Sequence, residues 1–337
     1  MEYVKMNSEQ IRNLTNATQL FEALERLRQN EGRFRGSMHY KHIKGHDYLY
    51  RAYSGGRNQS LGPKSARTEE IKKNFEQGKS AHNRGKKTLT RRIRLHAAYI
   101  KANGLNRFPG SGARIVRAFQ KAKIPHRVIG TSALFVYEIS AGVLFMPQHL
   151  ATEDMDVLLD SRQSLRIAAN LKNRTLMSLI RDTDSSFKRL SDSPYEFAAT
   201  NDQGFMVELI TQGRRDIMTP GAFNDRLQGS DLHPIEIDSL KWHLASPHYS
   251  EVVFDHQGMP LRVDTVDPRA FVLHKWYVSR RENRKPAKRH RDGVHARLVA
   301  QVVVNELRHL PGTGVIQRLF PDAVVRQSPD TVDEFSL

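Results

Sequence analysis

Three acidic residues, Asp154, Asp156 and Glu208, have the types and spacing that could bind a divalent cation. Side chains two residues apart on an extended chain point to the same side, so Asp154 and Asp156 can converge while Met155 faces a core. Glu208 lies between two aliphatic residues in a segment fit for burial, where a carboxylate needs a partner. Two further carboxylates around Mg²⁺ or Mn²⁺ would supply one, although an Asp-x-Asp pair also occurs in loops and caps.

A short polar segment, Gly130, Thr131 and Ser132, precedes a predicted helix. The backbone N–H groups and hydroxyls at such a helix start can bind phosphates, although a glycine there is also common in a plain turn. Combined with the three acids, this segment points to attack on a nucleoside triphosphate that is oriented by Mg²⁺.

Alternating strands and helices must position these residues. The apolar patterns predict strands at 126–129 and 155–159, a helix at 131–141, one or two helices at 164–181, and hairpins at 195–211 and 251–266. Two helices are expected at 269–284 and 287–310, and loose order after residue 311. This mixture predicts an α+β fold with a mixed sheet.

The N-terminal third has a different pattern. It predicts a short helix at 18–30, a hairpin at 37–53, a long helical arm at 68–103 with weak points at Gly78 and Gly85, and a helix at 113–123. We therefore expect three regions: a basic N-terminal region at 1–124, a central α+β core at 125–266, and a C-terminal helical region at 267–337.

The charge is distributed unevenly along the 337 residues, which carry a formal net charge of +17. Residues 26–127 contain 26 Lys and Arg against 5 Asp and Glu. A field of this sign attracts polyanions, so we expect RNA or another acidic partner for this region; a solvated basic helix face is the alternative.

The composition also excludes several classes of protein. No cysteine is present, which excludes disulfide scaffolds, thiolate zinc sites and cysteine nucleophiles. The first residues lack the apolar stretch of a signal peptide, and no apolar run is long enough to cross a membrane. We expect a cytoplasmic protein without membrane contact.

Three motifs resemble the signature of the nucleotidyltransferase superfold, the DNA polymerase β-like group: G-T-S-A-L from Gly130, T-E-D-M-D-V from Thr152 and V-E-L-I from Val207. Segments at 36–61, 241–247, 258–260 and 267–275 resemble a family of bacterial nucleotidyltransferase-like proteins. The chain is also similar to the basic motif of AbiEii-type toxin nucleotidyltransferases, at Lys275, Arg281, Lys288, Arg291 and Asp292.

This resemblance implies an enzyme that moves an NMP from an NTP to an acceptor hydroxyl, on RNA or on a protein, with a toxin-like role as one biological version. Asp154 and Asp156 would bind the metals, while Glu208 would complete the second metal site or take the proton of the acceptor. The nucleotide would be bound by Gly130, Thr131, Ser132, Lys275, Arg281, Lys288 and Arg291.

The four basic residues are expected on two helices, with Lys275 and Arg281 sharing a face of the first and Lys288 and Arg291 a face of the second. A solvated basic stretch is the alternative. Asp292 is expected to pair with Arg291 or to cap its helix.

Two departures from the family pattern leave a second function open. Thr131 replaces the usual small residue of the turn, and Glu208 stands where Asp is common. The alternative is a catalytically inactive protein of the same fold that binds nucleic acid or regulates a partner. A purely structural interaction protein would leave the three acids unexplained.

Overall fold

The computed structural model describes residues 2–190, 197–212, 227, 231–310 and 314–326. The chain divides into two compact units, described separately below. The larger comprises Met1–Ile11, Gly104–Gln257 and Leu261–Leu337, and the smaller comprises Arg12–Asn103 and Gly258–Pro260. The three regions expected from sequence remain a prediction.

Strands and helices both contribute, which confirms the predicted α+β class. The strands are β1 (Tyr3–Lys5), β2 (Ser37–Ile43), β3 (His46–Ala52), β4 (Asn58–Pro63), β5 (Arg127–Ile129), β6 (Val143–Phe145), β7 (Asp154–Leu159), β8 (Lys188–Arg189), β9 (Ala198–Thr200), β10 (Met206–Gln212), β11 (Ile235–Ile237), β12 (His248–Phe254) and β13 (Pro260–Val266). The helices are α1 (Ser8–Gln29), α2 (Ala66–Ala102), α3 (Gly110–Lys121), α4 (Leu134–Ala141), α5 (Pro147–Leu150), α6 (Ser164–Leu171), α7 (Leu176–Arg181), α8 (Lys241–Ala245), α9 (Pro268–Ser279), α10 (Pro286–Asn305), α11 (Gly314–Gln317) and α12 (Asp322–Arg326).

A mixed sheet forms the centre of the larger unit. Its strands follow the order β5-β7-β10-β9-β8, and β11 also pairs with β10. The pairing of β7 with β10 is parallel, whereas β5 pairs with β7 and β9 pairs with β10 in antiparallel fashion. The predicted hairpin at 195–211 is therefore present from β9 to β10, and residues 195–196 lie outside the described residues.

Alternation along β7 and β10 separates the core from the polar side of the sheet. Met155 and Val157 on β7, and Val207 and Leu209 on β10, are at most 1% exposed and belong to one large apolar cluster. The residues between them point the other way because successive strand side chains alternate. This alternation leaves the acidic residues of both strands on the same side.

The helical pair α9 and α10 covers much of the remaining core. Pro268 starts α9, and the Asp267 carboxylate accepts a hydrogen bond from the backbone N–H of Arg269 as its N-cap. Almost every residue of α9 is buried. The prediction of a helix over 269–284 was wrong at its end, because α9 stops at Ser279 and a turn precedes Pro286, a residue that disfavours helix before it.

The C-terminal segment was predicted to be loosely ordered, and this was wrong for residues 314–326. Ile316, Phe320 and Val324 recur at every fourth position, are buried, and pack with Trp242 and Leu273. Ile316 lies on α11, Val324 lies on α12 and Phe320 lies between the two helices, so two short helices and their connection bring the three side chains to one cluster.

The smaller unit contains β2, β3, β4 and α2. The predicted hairpin at 37–53 is confirmed, with Lys44 and Gly45 at positive φ in its turn, and β4 adds a third strand. α2 is continuous through Gly78, where a Cβ would lie 2.6 Å from the Phe34 ring. Gly78 was predicted to weaken the helix, but it instead allows α2 to pack closely against the Phe34 ring.

In the described part of the chain, no helix combines the length and apolar character that crossing a membrane requires.

Candidate active site

Asp156 and Glu208 are brought together by the parallel register of β7 and β10. Asp156 pairs with Glu208, and Asp154 pairs with Met206. Asp154 and Asp156 lie two residues apart on β7, so all three acids face the same side of the sheet. All three line one cavity of about 660 Å³.

The environment of Asp156 and Glu208 favours their protonated forms. Burial raises the pKa of Asp156, and the negative charges of Glu208 and Asp154 raise it further. Burial likewise raises the pKa of Glu208, against the lowering effect of Lys288. Asp156 and Glu208 are register partners on neighbouring strands, and their mutual repulsion disfavours ionisation of both carboxyl groups at once.

Gly130 allows the Asp156 carboxyl group to pack against the backbone. Its φ is +66°, and a Cβ at this position would lie 2.0 Å from Oδ2 of Asp156. Ile129, immediately before it, is the register partner of Asp156 on β5. A side chain here would therefore both strain the backbone and displace the acid.

Thr131 and Ser132, which follow Gly130 in the polar segment, differ in their position relative to the cavity. Thr131 lines the cavity with Gly130, whereas Ser132 does not. The Ser132 Oγ atom is buried without a hydrogen-bond partner among the described residues. Its expected contact with a phosphate remains a prediction.

All four predicted basic residues line the same cavity: Lys275, Arg281, Lys288 and Arg291. Lys275 is on α9, and Lys288 and Arg291 are on α10. The prediction that Arg281 shares a helix face with Lys275 was wrong, because Arg281 lies beyond the end of α9 in the turn before α10. The turn, rather than a helix, brings it to the cavity.

Asp292 holds two cations at this site. It is 0% exposed, and it accepts hydrogen bonds from Lys275 Nζ at 2.7 Å and from Arg284 Nε at 2.5 Å. Burial alone would raise the pKa of Asp292, but the two cations lower it below the usual value. The expectation that it pairs with Arg291 or caps its helix was therefore wrong.

Sequence reasoning missed several cavity residues: Asp238, Ser239, His243, His274, Arg284 and Lys285. Arg284 and Lys285 continue the basic run that includes Arg281, so their charge was a usable signal. The two histidines carry no such signal, because only the packing of α8 against α9 brings them together.

The acids are not arranged around a metal as they stand. Among the residues that the structure describes, no group of three or more His, Asp or Glu side chains could hold a metal ion in its present arrangement. The three carboxyl groups nevertheless face the same side of the sheet and offer the oxygen donors that suit Mg²⁺. A divalent cation there would offset the repulsion between them.

A family model described as nucleotidyltransferase matches residues 111–319, which are 209 of the 337 residues. The chain belongs to this nucleotidyltransferase family. The match contains the three acids and all six Lys and Arg residues of the cavity, so the cavity lies within the matched nucleotidyltransferase region. Comparisons with curated proteins and with solved structures gave no significant match.

The basic part of the chain lies mostly outside the family match. The smaller unit ends its main segment at Asn103, before the nucleotidyltransferase domain begins at residue 111. Within Arg12–Asn103 there are 21 Lys and Arg against 7 Asp and Glu. Eight Lys or Arg residues of α2 are exposed: Arg67, Lys73, Arg84, Lys87, Arg91, Arg92, Arg94 and Lys101.

Proposed function

We propose that this nucleotidyltransferase transfers an NMP from an NTP to an acceptor hydroxyl on RNA, in a reaction that requires Mg²⁺ or Mn²⁺. The observation that carries the proposal is the pairing of Asp156 with Glu208 in a cavity that six Lys and Arg side chains also line. Acids facing cations in one cavity suit a metal-bound, highly anionic substrate.

The metal would be held by Asp154, Asp156 and Glu208. When bound, it supplies positive charge that polarises the phosphoryl group and favours the ionised acceptor oxygen. Lys275 and Lys288 would act on the phosphate oxygens as point charges, and Arg281 and Arg291 as planar donors of paired hydrogen bonds. Gly130 and Thr131 would add contacts from the start of the helical segment.

The transfer step forms one bond and breaks one. The acceptor oxygen forms a bond to the α-phosphorus, and the bond from that phosphorus to the oxygen bridging to the β-phosphate breaks. Pyrophosphate leaves, and the acceptor proton passes to a carboxylate. Glu208 is the residue we assign to this proton or to the second metal, because it is the register partner of Asp156 and lines the same cavity.

The partner RNA is assigned to the basic smaller unit. The exposed cations of α2 run along one long helix, where they can neutralise successive phosphates. The three-stranded sheet of the smaller unit, formed by β2, β3 and β4, adds basic and aromatic side chains. Among them, Lys41 Nζ lies 5.1 Å from the centroid of the Tyr50 ring. Binding through phosphates predicts affinity that falls steeply as salt rises.

The test is transfer of label from each α-³²P NTP into a cell extract, with Mg²⁺ or Mn²⁺. The full chain is compared with the Asp154→Ala, Asp156→Ala variant. The matched control is Asp182→Ala, Asp202→Ala, which removes two acids whose side chains are 64% and 73% exposed.

We expect label in a band that ribonuclease removes, that the control retains and that the site variant lacks. Label that protease removes instead would replace RNA by a protein acceptor. Absence of label with every nucleotide, from folded protein that still binds RNA, would favour the non-catalytic binding protein.

A further inference from the structure

Beyond the acids, the cavity is also lined by uncharged apolar and imidazole side chains, and we call this lining its weakly polar part. Ile210 follows Glu208 by two residues on β10 and therefore lies on the same side of the sheet. Ile210, Leu240 and Phe271 all line the cavity. This part offers apolar surface that a triphosphate does not need.

One face of α9 contributes four side chains to the cavity. Phe271, His274, Lys275 and Val278 have the i, i+3, i+4, i+7 spacing of a single helix face, and all four line the cavity. Only Lys275 among them carries a charge suited to phosphate. The other three side chains surround it with ring and aliphatic surface.

Two imidazole rings lie in this weakly polar part. His243 on α8 is 2% exposed, His274 is 8% exposed, and their ring centroids are 4.2 Å apart. Both ring nitrogens of His243 and Nδ1 of His274 are buried without a hydrogen-bond partner among the described residues. The other nitrogen of His274, Nε2, lies 3.0 Å from Ser239 Oγ. Unpaired buried nitrogens are costly, which points to a ligand that pairs with them.

We propose that His243 and His274 form the subsite for the nucleobase of the NTP, with Ile210 and Phe271 as its apolar surface. This inference rests on the proposed function and adds the residues that select the nucleotide. The unpaired nitrogens have no contact with solvent in this arrangement, so the rings must rotate to meet the edge of a base.

The electrostatics of this subsite favour a neutral heterocycle over another phosphate. Burial, together with the smaller effect of the neighbouring cations, lowers the pKa of His274 to about 3. Burial also lowers the pKa of His243, with His274 and Lys275 adding to the effect. A neutral imidazole offers one donor and one acceptor, the combination present on base edges. A site whose buried polar groups need a partner discriminates strongly against ligands that leave them unpaired.

The experiment measures binding of the four Mg²⁺·NTPs and of Mg²⁺·tripolyphosphate to the full chain by calorimetry. The variants are His243→Ala and His274→Ala. The matched control is His126→Ala, which removes an imidazole that packs on Phe119 and does not line the cavity.

We expect the wild type to bind one NTP more tightly than tripolyphosphate, and each site variant to lose about tenfold of that NTP affinity or more. Tripolyphosphate affinity should stay within about twofold, since the phosphate-binding cations are untouched. Retained tripolyphosphate binding also shows that a variant is folded. Where an alanine variant loses it, His243→Gln or His274→Gln takes its place and is expected to shift the preference among the four NTPs.

Two results overturn the subsite. One is unchanged NTP affinity in folded variants, and the other is a wild type that binds every NTP only as tightly as tripolyphosphate. Both leave the proposed function standing if label transfer is observed. A wild type that binds neither NTP nor tripolyphosphate would overturn the proposed function as well.

Discussion

Replacement of Asp292 by alanine tests whether this buried acid organises the cationic side of the cavity. Asp292→Ala removes the carboxylate with which both Lys275 and Arg284 form ion pairs. Lys275 is 11% exposed and Arg284 33% exposed in their side chains, so neither cation is fully hydrated after the change. Breaking a buried pair in this way costs about 3–5 kcal/mol.

The assay is urea unfolding of the full chain, followed by far-UV circular dichroism. The free energy of unfolding should fall by about 3–5 kcal/mol, whereas Asp182→Ala, which breaks an exposed pair with Arg174, should cost less than about 1 kcal/mol. Tripolyphosphate binding should weaken as well, because Lys275 loses the group that orients it. A loss of stability no larger than that of Asp182→Ala would refute the reasoning.

Three further predictions concern other parts of the molecule. Gly130→Ala should abolish metal-dependent nucleotide binding in calorimetry, whereas Gly204→Ala, at φ +79° with no atom within 4 Å of a Cβ, should retain it. Burial raises the pKa of Glu138 to about 8 from its ordinary value near 4.5, so the free energy of unfolding should fall as pH rises between these values. In urea unfolding at pH 5 and pH 8, Glu138→Gln should reduce that fall. An equal fall in the variant and the wild type would contradict the prediction. Arg91→Glu, Arg94→Glu should weaken RNA binding and flatten its salt dependence in filter binding, whereas Glu9→Gln should not.

The acids were predictable from sequence because their placement depends on strand alternation. Asp154 and Asp156 with Met155 between them, and Glu208 between aliphatic residues, carry that alternation in the chain itself. Which residue of β10 pairs with Asp156 depends on the register of two strands that are distant in sequence, and the residues alone left it open. The family match agrees with the nucleotidyltransferase resemblance, while the individual residue roles remain predictions.

The parts that were missed depend on tertiary packing. His243 and His274 lie on different helices, and no local sequence pattern predicts that their rings are in contact. The true partners of Asp292 also come from outside its own helix. Residues 314–326 form two helices of four and five residues, which have little intrinsic stability and gain it from packing on Trp242.

The register of β7 and β10 couples correct folding of the sheet to correct placement of the acids in the candidate active site. A slip of one residue would turn Glu208 into the core and bring Val207 and Leu209 out of it. Each buried aliphatic side chain contributes about 1.5–3 kcal/mol, so the slipped pairing is penalised by the same interactions that stabilise the sheet. The three acids are therefore brought together when the sheet folds, without a bound nucleotide. A molecule with the slipped register would be unstable, so it would not accumulate as a folded but inactive protein.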